Sequence, residues 1–137
     1  MPDGPGFPPL TRGERFLRWL RRRRFTVADA SMSPTLVPRD ALYVDPGAYR
    51  HHPPRPGDIV VVRDPILPTR HLVKRVGFVP DGPAPPDGTT VPAGSVYLVG
   101  DDPSVSRDSR EFGPVPRSLL IGRAYACYRP IAHRRSL

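Results

Sequence analysis

Proline interrupts this chain so often that no regular element in it can run long. The 137 residues include 21 prolines and 12 glycines, far above ordinary usage. Proline fixes φ and has no N–H to give to a ladder or a helix interior, so regular structure must fit between the interruptions. These residues concentrate at the N-terminus, from His52 to Gly57 and from Pro80 to Gly94. Between them stand short apolar runs: Ala41–Val44, Asp58–Arg63, Leu72–Val79, Val96–Val99 and Leu119–Tyr128. Short apolar runs with Pro/Gly punctuation predict a mostly β domain. The length predicts one such domain, with a modest core, and there is no internal repeat.

The first exception to that pattern is basic. Thr11-Arg-Gly-Glu14 has the form of a capping box, and Phe16, Leu17, Trp19 and Leu20 follow at near-helical spacing before Arg21–Arg24. A short N-terminal helix is expected here. Seven arginines against Glu14 give Arg12–Arg24 a local charge of +6, most of the chain's +8. One reading is a solvated basic helix whose aromatic face packs on the domain. The others are docking on an anionic membrane, on an acidic segment of a substrate protein, or on nucleic acid. No nucleic-acid fold signature accompanies the charge, so no specific nucleic-acid partner is expected. The expected division is a basic arm over residues 1–25, a main domain over 26–129 and a tail over 130–137.

No apolar run approaches the roughly 20 residues of a membrane-spanning helix, and the first thirty residues lack the continuous apolar core of a secretory signal. A single cysteine, Cys127, excludes an intrachain disulfide and fits a reducing compartment. These features predict a cytoplasmic protein, peripheral to a membrane at most. Cys127 lies in an expected strand and should be packed in the core. His51, His52, His71 and His133 share no ligand spacing with a carboxylate or thiol, so neither a metal nor a cofactor is expected.

Twenty of the 21 basic residues are arginine; the single lysine is Lys74. Arginine keeps its proton in a protein, whereas a desolvated lysine can lose it. Read with period two, Leu72, Lys74, Val76 and Phe78 share one strand face. An amine among such neighbours loses hydration, which disfavours the ammonium form. The bland alternative is a stem lying on apolar surface with the ammonium snorkelling to water. Upstream, Ala30-Ser31-Met-Ser-Pro-Thr-Leu36 offers a hydroxyl for Lys74 to activate, although Ser and Pro also favour simple turns. Arg55-Pro-Gly-Asp-Ile-Val-Val-Val62 reads as a turn entering a buried strand. Val99-Gly-Asp-Asp102 through Ser106-Arg-Asp-Ser-Arg-Glu-Phe-Gly-Pro114 is a polar loop dense in hydroxyls and charges.

Over about residues 27–125 these four segments resemble, in order, the boxes of the signal peptidase I family of Ser/Lys serine proteases. Ser31-Met-Ser-Pro-Thr-Leu36 matches the nucleophile box, Pro56-Gly-Asp-Ile-Val60 the second and Val73-Lys-Arg-Val76 the general-base box. Gly100-Asp101 through Pro114 matches the last. The resemblance implies a signal-peptidase/LexA-like catalytic β fold of short strands. It makes Ser31 the nucleophile, in preference to nearby Ser33, and Lys74 the general base. It makes Ser106 the hydroxyl that orients the amine, and Asp108 and Arg110 an ion pair bracing the site. A serine hydroxyl needs such a base, and the base needs a third group to aim it. The chain departs from the family pattern at Asp29, where Gly or Ser is usual two residues before the nucleophile. It also has Pro38-Arg-Asp40 for Pro-Gly-Asp and Gly100-Asp-Asp102 for Gly-Asp-Asn.

Within the family, the compact link between the last two boxes, the lysine box preceded by Val-Arg-Asp-Pro65 and the missing anchor resemble the nickel-type superoxide dismutase maturation proteases. That resemblance implies a leader-removing endopeptidase acting on the dismutase precursor. One alternative is an anchor-less signal peptidase I that cuts exported preproteins. Another, of a different class, is a non-catalytic basic binding module.

Overall fold

The structure is a computed structural model that describes residues 8–137; residues 1–7 of the expected arm lie outside the described residues. Among the described residues, eight strands and two α-helices follow one another, with short 3-10 turns at Arg117–Leu119 and Ile131–His133. They are α1 (Arg12–Arg21), β1 (Arg23–Thr26), β2 (Ala41–Asp45), β3 (Ile59–Arg63), β4 (His71–Phe78), β5 (Ser95–Val99), α2 (Ser109–Phe112), β6 (Val115–Pro116), β7 (Leu120–Arg129) and β8 (Arg135–Ser136). The expected mostly β architecture with a short basic helix is what forms. Five strands fall on the five apolar runs, with ends shifted by a residue or so.

The strands build one antiparallel sheet in the order β1-β2-β7-β3-β4-β5-β6, with β8 also pairing β7. β7 is the longest strand and organises the rest. One of its edges takes β2, while the other takes β3 along its first half and β8 near its end. Bulges in both the β2 and β3 pairings let the sheet bend, because an unpaired extra residue increases local twist.

The continuous run Ile59-Val-Val-Val62 is explained by the position of β3 between two apolar layers. Ile59 and Val61 join Val27, Met32, Leu36, Leu42, Val44, Ala124 and Cys127 on one side. Val60 and Val62 join Leu72, Val76, Val96, Leu98 and Val115 on the other. A strand buried on both faces has no reason to alternate with polar residues. Cys127 is fully buried, as its strand position predicts.

Two features of the N-terminal segment were not legible. Arg23, Arg24 and Phe25, read as the end of a basic arm, belong with Thr26 to a strand paired to β2, with Phe25 opposite Leu42. The capping box forms, Glu14 N donating to Thr11 Oγ1 at 3.2 Å and Thr11 N to Glu14 Oε2 at 2.7 Å. Yet the aromatic face of α1 does not pack on the domain: Phe16, Leu17, Trp19 and Leu20 are all exposed.

Gly122 lies where β7 passes close against the end of β2 and the turn after it. A Cβ built there would lie 2.4 Å from Asp45 O and 2.8 Å from Pro46 Cα, so backbone would have to move. Gly122→Ala should therefore destabilise the domain by about 1–3 kcal/mol, the usual cost of overpacking, read as a lower midpoint in urea at unchanged slope. An unchanged midpoint would show that the turn after β2 yields freely.

Candidate active site

Ser31 opens a tight turn whose carbonyls are used locally: Ser33 N donates to Ala30 O at 3.0 Å and Leu36 N to Met32 O at 2.9 Å. Met32 and Leu36, both fully buried, pin this turn into the core. Ser31 is itself buried, and its carbonyl accepts from Asp102 N at 2.8 Å. The second box is a turn feeding β3. Asp58 accepts from Arg55 N and Tyr49 Oη, and Gly57 N and Val76 N bond across to Val76 O and Asp58 O.

Lys74 lies on β4 opposite Val60, with Leu72 and Val76 on its own face, and is 2% exposed. It does not snorkel. Nζ donates to Ser106 Oγ at 3.1 Å, and Ser106 Oγ donates to Asp108 Oδ2 at 2.6 Å. Asp108 also accepts from Gly100 N at 2.8 Å and Arg110 Nε at 2.9 Å, with Arg110 Nη2 completing the fork. The structure thus brings Lys74, Ser106, Asp108 and Arg110 into one hydrogen-bonded chain.

Gly100 lets the Ser31 backbone come close to that chain, although no hydrogen bond joins the Ser31 hydroxyl to Lys74. A Cβ on it would fall 2.1 Å from Ser106 Oγ and 2.7 Å from Ser31 O. Only glycine allows the two serine-bearing segments this close approach. Asp29 is the unexpected member. Its Oδ1 accepts the Ser31 N–H at 2.9 Å, and its charge lies close enough to Lys74 for each to shift the other.

The electrostatics oppose one another. Burial, the largest influence on Lys74, pushes its amine below the usual lysine range, and the Asp29 and Asp108 charges push partly back. Burial works against the Asp108 carboxylate too, but hydrogen bonds from Arg110, Ser106 and the Gly100 N–H outweigh it and hold the group at about 2. Burial likewise opposes ionised Asp29, and hydrogen bonds from Ser31 with the Lys74 and Arg70 charges leave its pKa lowered.

Sequence reasoning missed the residues that tie the four boxes together. Arg75 forks onto Asp101, with both contacts at 2.8 Å, and its Nη1 donates to Gly57 O at 2.8 Å. Asp101 Oδ2 in turn accepts from Thr35 Oγ1 at 2.6 Å. Arg107 pairs with fully buried Asp64, which anchors the Ser106 loop beside the turn entering β4. The only available signal was that these residues sit next to or inside the boxes. His133 pairs with Asp40, and His71 packs edge-on against Phe25.

The family model described as signal peptidase, peptidase S26, matches residues 16–82 and 82–129. The chain belongs to this family. It is a family of serine-type peptidases, for which a Ser/Lys dyad is characteristic. Over 104 residues the chain is 41% identical to the mitochondrial ATP-independent inner membrane protease subunit 1b of Arabidopsis thaliana, covering 68% of this chain and 62% of that protein. It is 34% identical over 103 residues to the mitochondrial inner membrane protease subunit 1 of Mus musculus, covering 69% and 62%. It is 31% identical over 138 residues to signal peptidase I of Leptolyngbya laminosa, covering 77% and 68%.

The cytoplasmic location expected from the sequence is overturned by these relatives, several of which are inner membrane proteases. That expectation rested on the absence of a spanning run and of a secretory signal and on the single cysteine. No described helix is long and apolar enough to cross a membrane, but the chain spans only 62% of the length of the inner membrane relatives. A missing span in such a chain does not decide its compartment.

The depressed Asp108 pKa makes a stability prediction. A carboxyl lowered on folding stabilises the native state above its unfolded pKa of roughly 3.9, and that contribution disappears as pH falls through the folded value of about 2. Wild type should lose on the order of 2 kcal/mol between about pH 4 and pH 2 from this group. Asp108→Asn should be less stable at neutral pH and lose less over that window, measured by urea unfolding at each pH. Parallel curves for the two proteins would contradict the assignment.

Proposed function

We propose that this chain is a serine endopeptidase in which Ser31 is the nucleophile and Lys74 the general base, removing an N-terminal leader from a precursor protein. The observation that carries the reading is the buried Lys74–Ser106–Asp108 chain. Ser106 gives its only proton to Asp108, so towards Lys74 it can only accept. That fixes one amine N–H on Ser106 and leaves the lone pair of a neutral Nζ to be aimed elsewhere. Asp108, ionised far below neutral pH and braced by Arg110, keeps this polarity. In this reading the Ser31 proton passes to Lys74 as Oγ attacks the scissile carbonyl, and the amine returns it to the leaving nitrogen. The catalytic unit is residues 26–129.

The Ser31 N–H is the natural oxyanion donor, a kind of contact worth roughly 10²–10³ in rate. At rest it is held by Asp29 Oδ1, so substrate must displace a carboxylate before the donor can serve. Asp29→Asn keeps an acceptor at that place but removes the charge. It should raise kcat/KM about tenfold, because a neutral amide competes less well for the N–H. Since the Asp29 charge raises the Lys74 pKa, the acid limb of the rate profile should also move to lower pH. A limb that stays in place or moves up would remove Asp29 from the site.

For the precursor, we propose a nickel-type superoxide dismutase. The lysine box entered through Val-Arg-Asp-Pro65 and the compact Pro80–Gly94 link support this choice over an exported preprotein. Co-expression with the dismutase precursor, followed by intact-mass analysis, should show a shortened N-terminus with wild type. With Lys74→Arg, which keeps charge but cannot yield a neutral base, cleavage should fall by on the order of 10⁴-fold at an unchanged circular dichroism spectrum. Ser31→Ala should match it. Cleavage that survives both substitutions defeats the Ser/Lys reading. An uncut dismutase precursor beside a cut small-x-small preprotein would change the substrate and leave the chemistry in place.

A further inference from the structure

Helix α1 is mounted on the domain the wrong way round for a surface helix. An amphipathic helix of a globular protein ordinarily turns its apolar stripe to the core and its charges to water. Here the arginine face is the one that docks. Arg18 is only 9% exposed, its guanidinium 4.1 Å from the ring centroid of Tyr125 on β7. Arg21 Nε donates to Asp45 Oδ1 at the end of β2 at 3.0 Å, and its guanidinium lies against Gly47. Arg22 sits 4.7 Å over Tyr43. Those rings belong to a platform on β2 and β7 in which Tyr43 stacks on Tyr128 at 4.1 Å and on Tyr125 at 6.2 Å. Arginine suits such seats because its flat, weakly hydrated cation stacks on aromatic faces.

The consequence is an apolar stripe aimed at solvent. Phe16, Leu17, Trp19 and Leu20 are each more than half exposed, and Phe16 stacks on Trp19 at 6.2 Å. An apolar patch of this kind marks an interaction surface. Its chemistry selects the occupant. Arg12, Arg15, Arg23 and Arg24 are exposed around the stripe. The sole acidic residue from Arg12 to Arg24 is Glu14, whose Oε2 is taken by its capping box. An exposed band of aromatic and leucine side chains fringed by arginines fits an anionic lipid interface.

We propose that α1 is an interfacial anchor for an anionic lipid bilayer. Phe16, Leu17, Trp19 and Leu20 enter the boundary between headgroups and acyl chains, the exposed arginines meet lipid phosphates, and the inward arginines hold the helix to the sheet. The helix lies in the plane of the surface and does not cross it. This inference does not depend on the Ser31/Lys74 reading, and it specifies a mode of attachment that the names of the relatives do not describe.

Trp19 is the single tryptophan, so intrinsic fluorescence reports the stripe directly. The full chain is titrated with phosphatidylcholine vesicles and with vesicles also containing phosphatidylglycerol, at low and high salt. The expected result is a blue shift of Trp19 emission, quenching by brominated acyl chains and co-sedimentation, all with the anionic vesicles and all weakened by salt. Arg12→Glu and Arg24→Glu should each weaken partition at least about fivefold. Leu17→Glu with Leu20→Glu should weaken it on the order of 100-fold while circular dichroism and cleavage of a soluble peptide stay unchanged. Three outcomes overturn the proposal. The first is no blue shift with anionic vesicles at low salt, and the second is undiminished binding by the double leucine variant. The third is a blue shift that needs no lipid and follows protein concentration, or that appears only with an acidic polypeptide; the stripe would then cover a second copy or a protein partner.

Discussion

The ion pair between Arg75 and Asp101 is the contact through which the site becomes one object. Its planar fork matches the carboxylate at both oxygens, the geometry that distinguishes arginine from lysine. Arg75 also reaches the Gly57 carbonyl and Asp101 also receives the Thr35 hydroxyl, so one pair connects the turn carrying Ser31, the turn entering β3, the strand carrying Lys74 and the loop carrying Ser106. Strand pairing alone would fix β4 against β3 and β5, but it would leave the Ser31 turn, which belongs to no strand, without a set distance from Lys74. The pair is only partly buried, which limits the desolvation cost of two charges while the hydrogen bonds hold direction.

The site itself is a balance between burial and charge. Lys74 is placed among valines and leucines that disfavour its ammonium form, with two carboxylates near enough to support it. One of them, Asp108, is committed elsewhere, to Arg110, Ser106 and the Gly100 N–H. The other, Asp29, is bonded to the Ser31 N–H. The resting arrangement is therefore internally satisfied, with every charge near the amine either bridged or bonded. This lets both carboxylates stay ionised inside a small sheet protein.

The same preference for arginine organises the outside of the molecule. Guanidinium groups fork onto Asp101 and Asp108 and stack on the tyrosine platform of β2 and β7. These are uses for a flat, permanently charged group that a lysine would fill poorly. The one lysine stands where burial lowers the pKa of its amine.

Much of this could be read from the residue order. Proline and glycine spacing set the strand lengths, because it acts locally on φ and on N–H supply. The alternation Leu72-Val-Lys74-Arg-Val76 put Lys74 on an apolar face, because strand side chains alternate whatever the fold. The Thr11/Glu14 cap was equally local. Only the tertiary structure decided which side of each element faces inward. Periodicity divides α1 into an arginine face and an apolar face but does not say which one the domain will take; that depended on tyrosines from β2 and β7 meeting as a platform. The Arg75–Asp101 link, the Asp64–Arg107 brace and the seating of Gly100 between Ser31 and Ser106 join residues far apart in the chain. Their distances are set by the long-range pairing and bending of the sheet, which no local preference encodes.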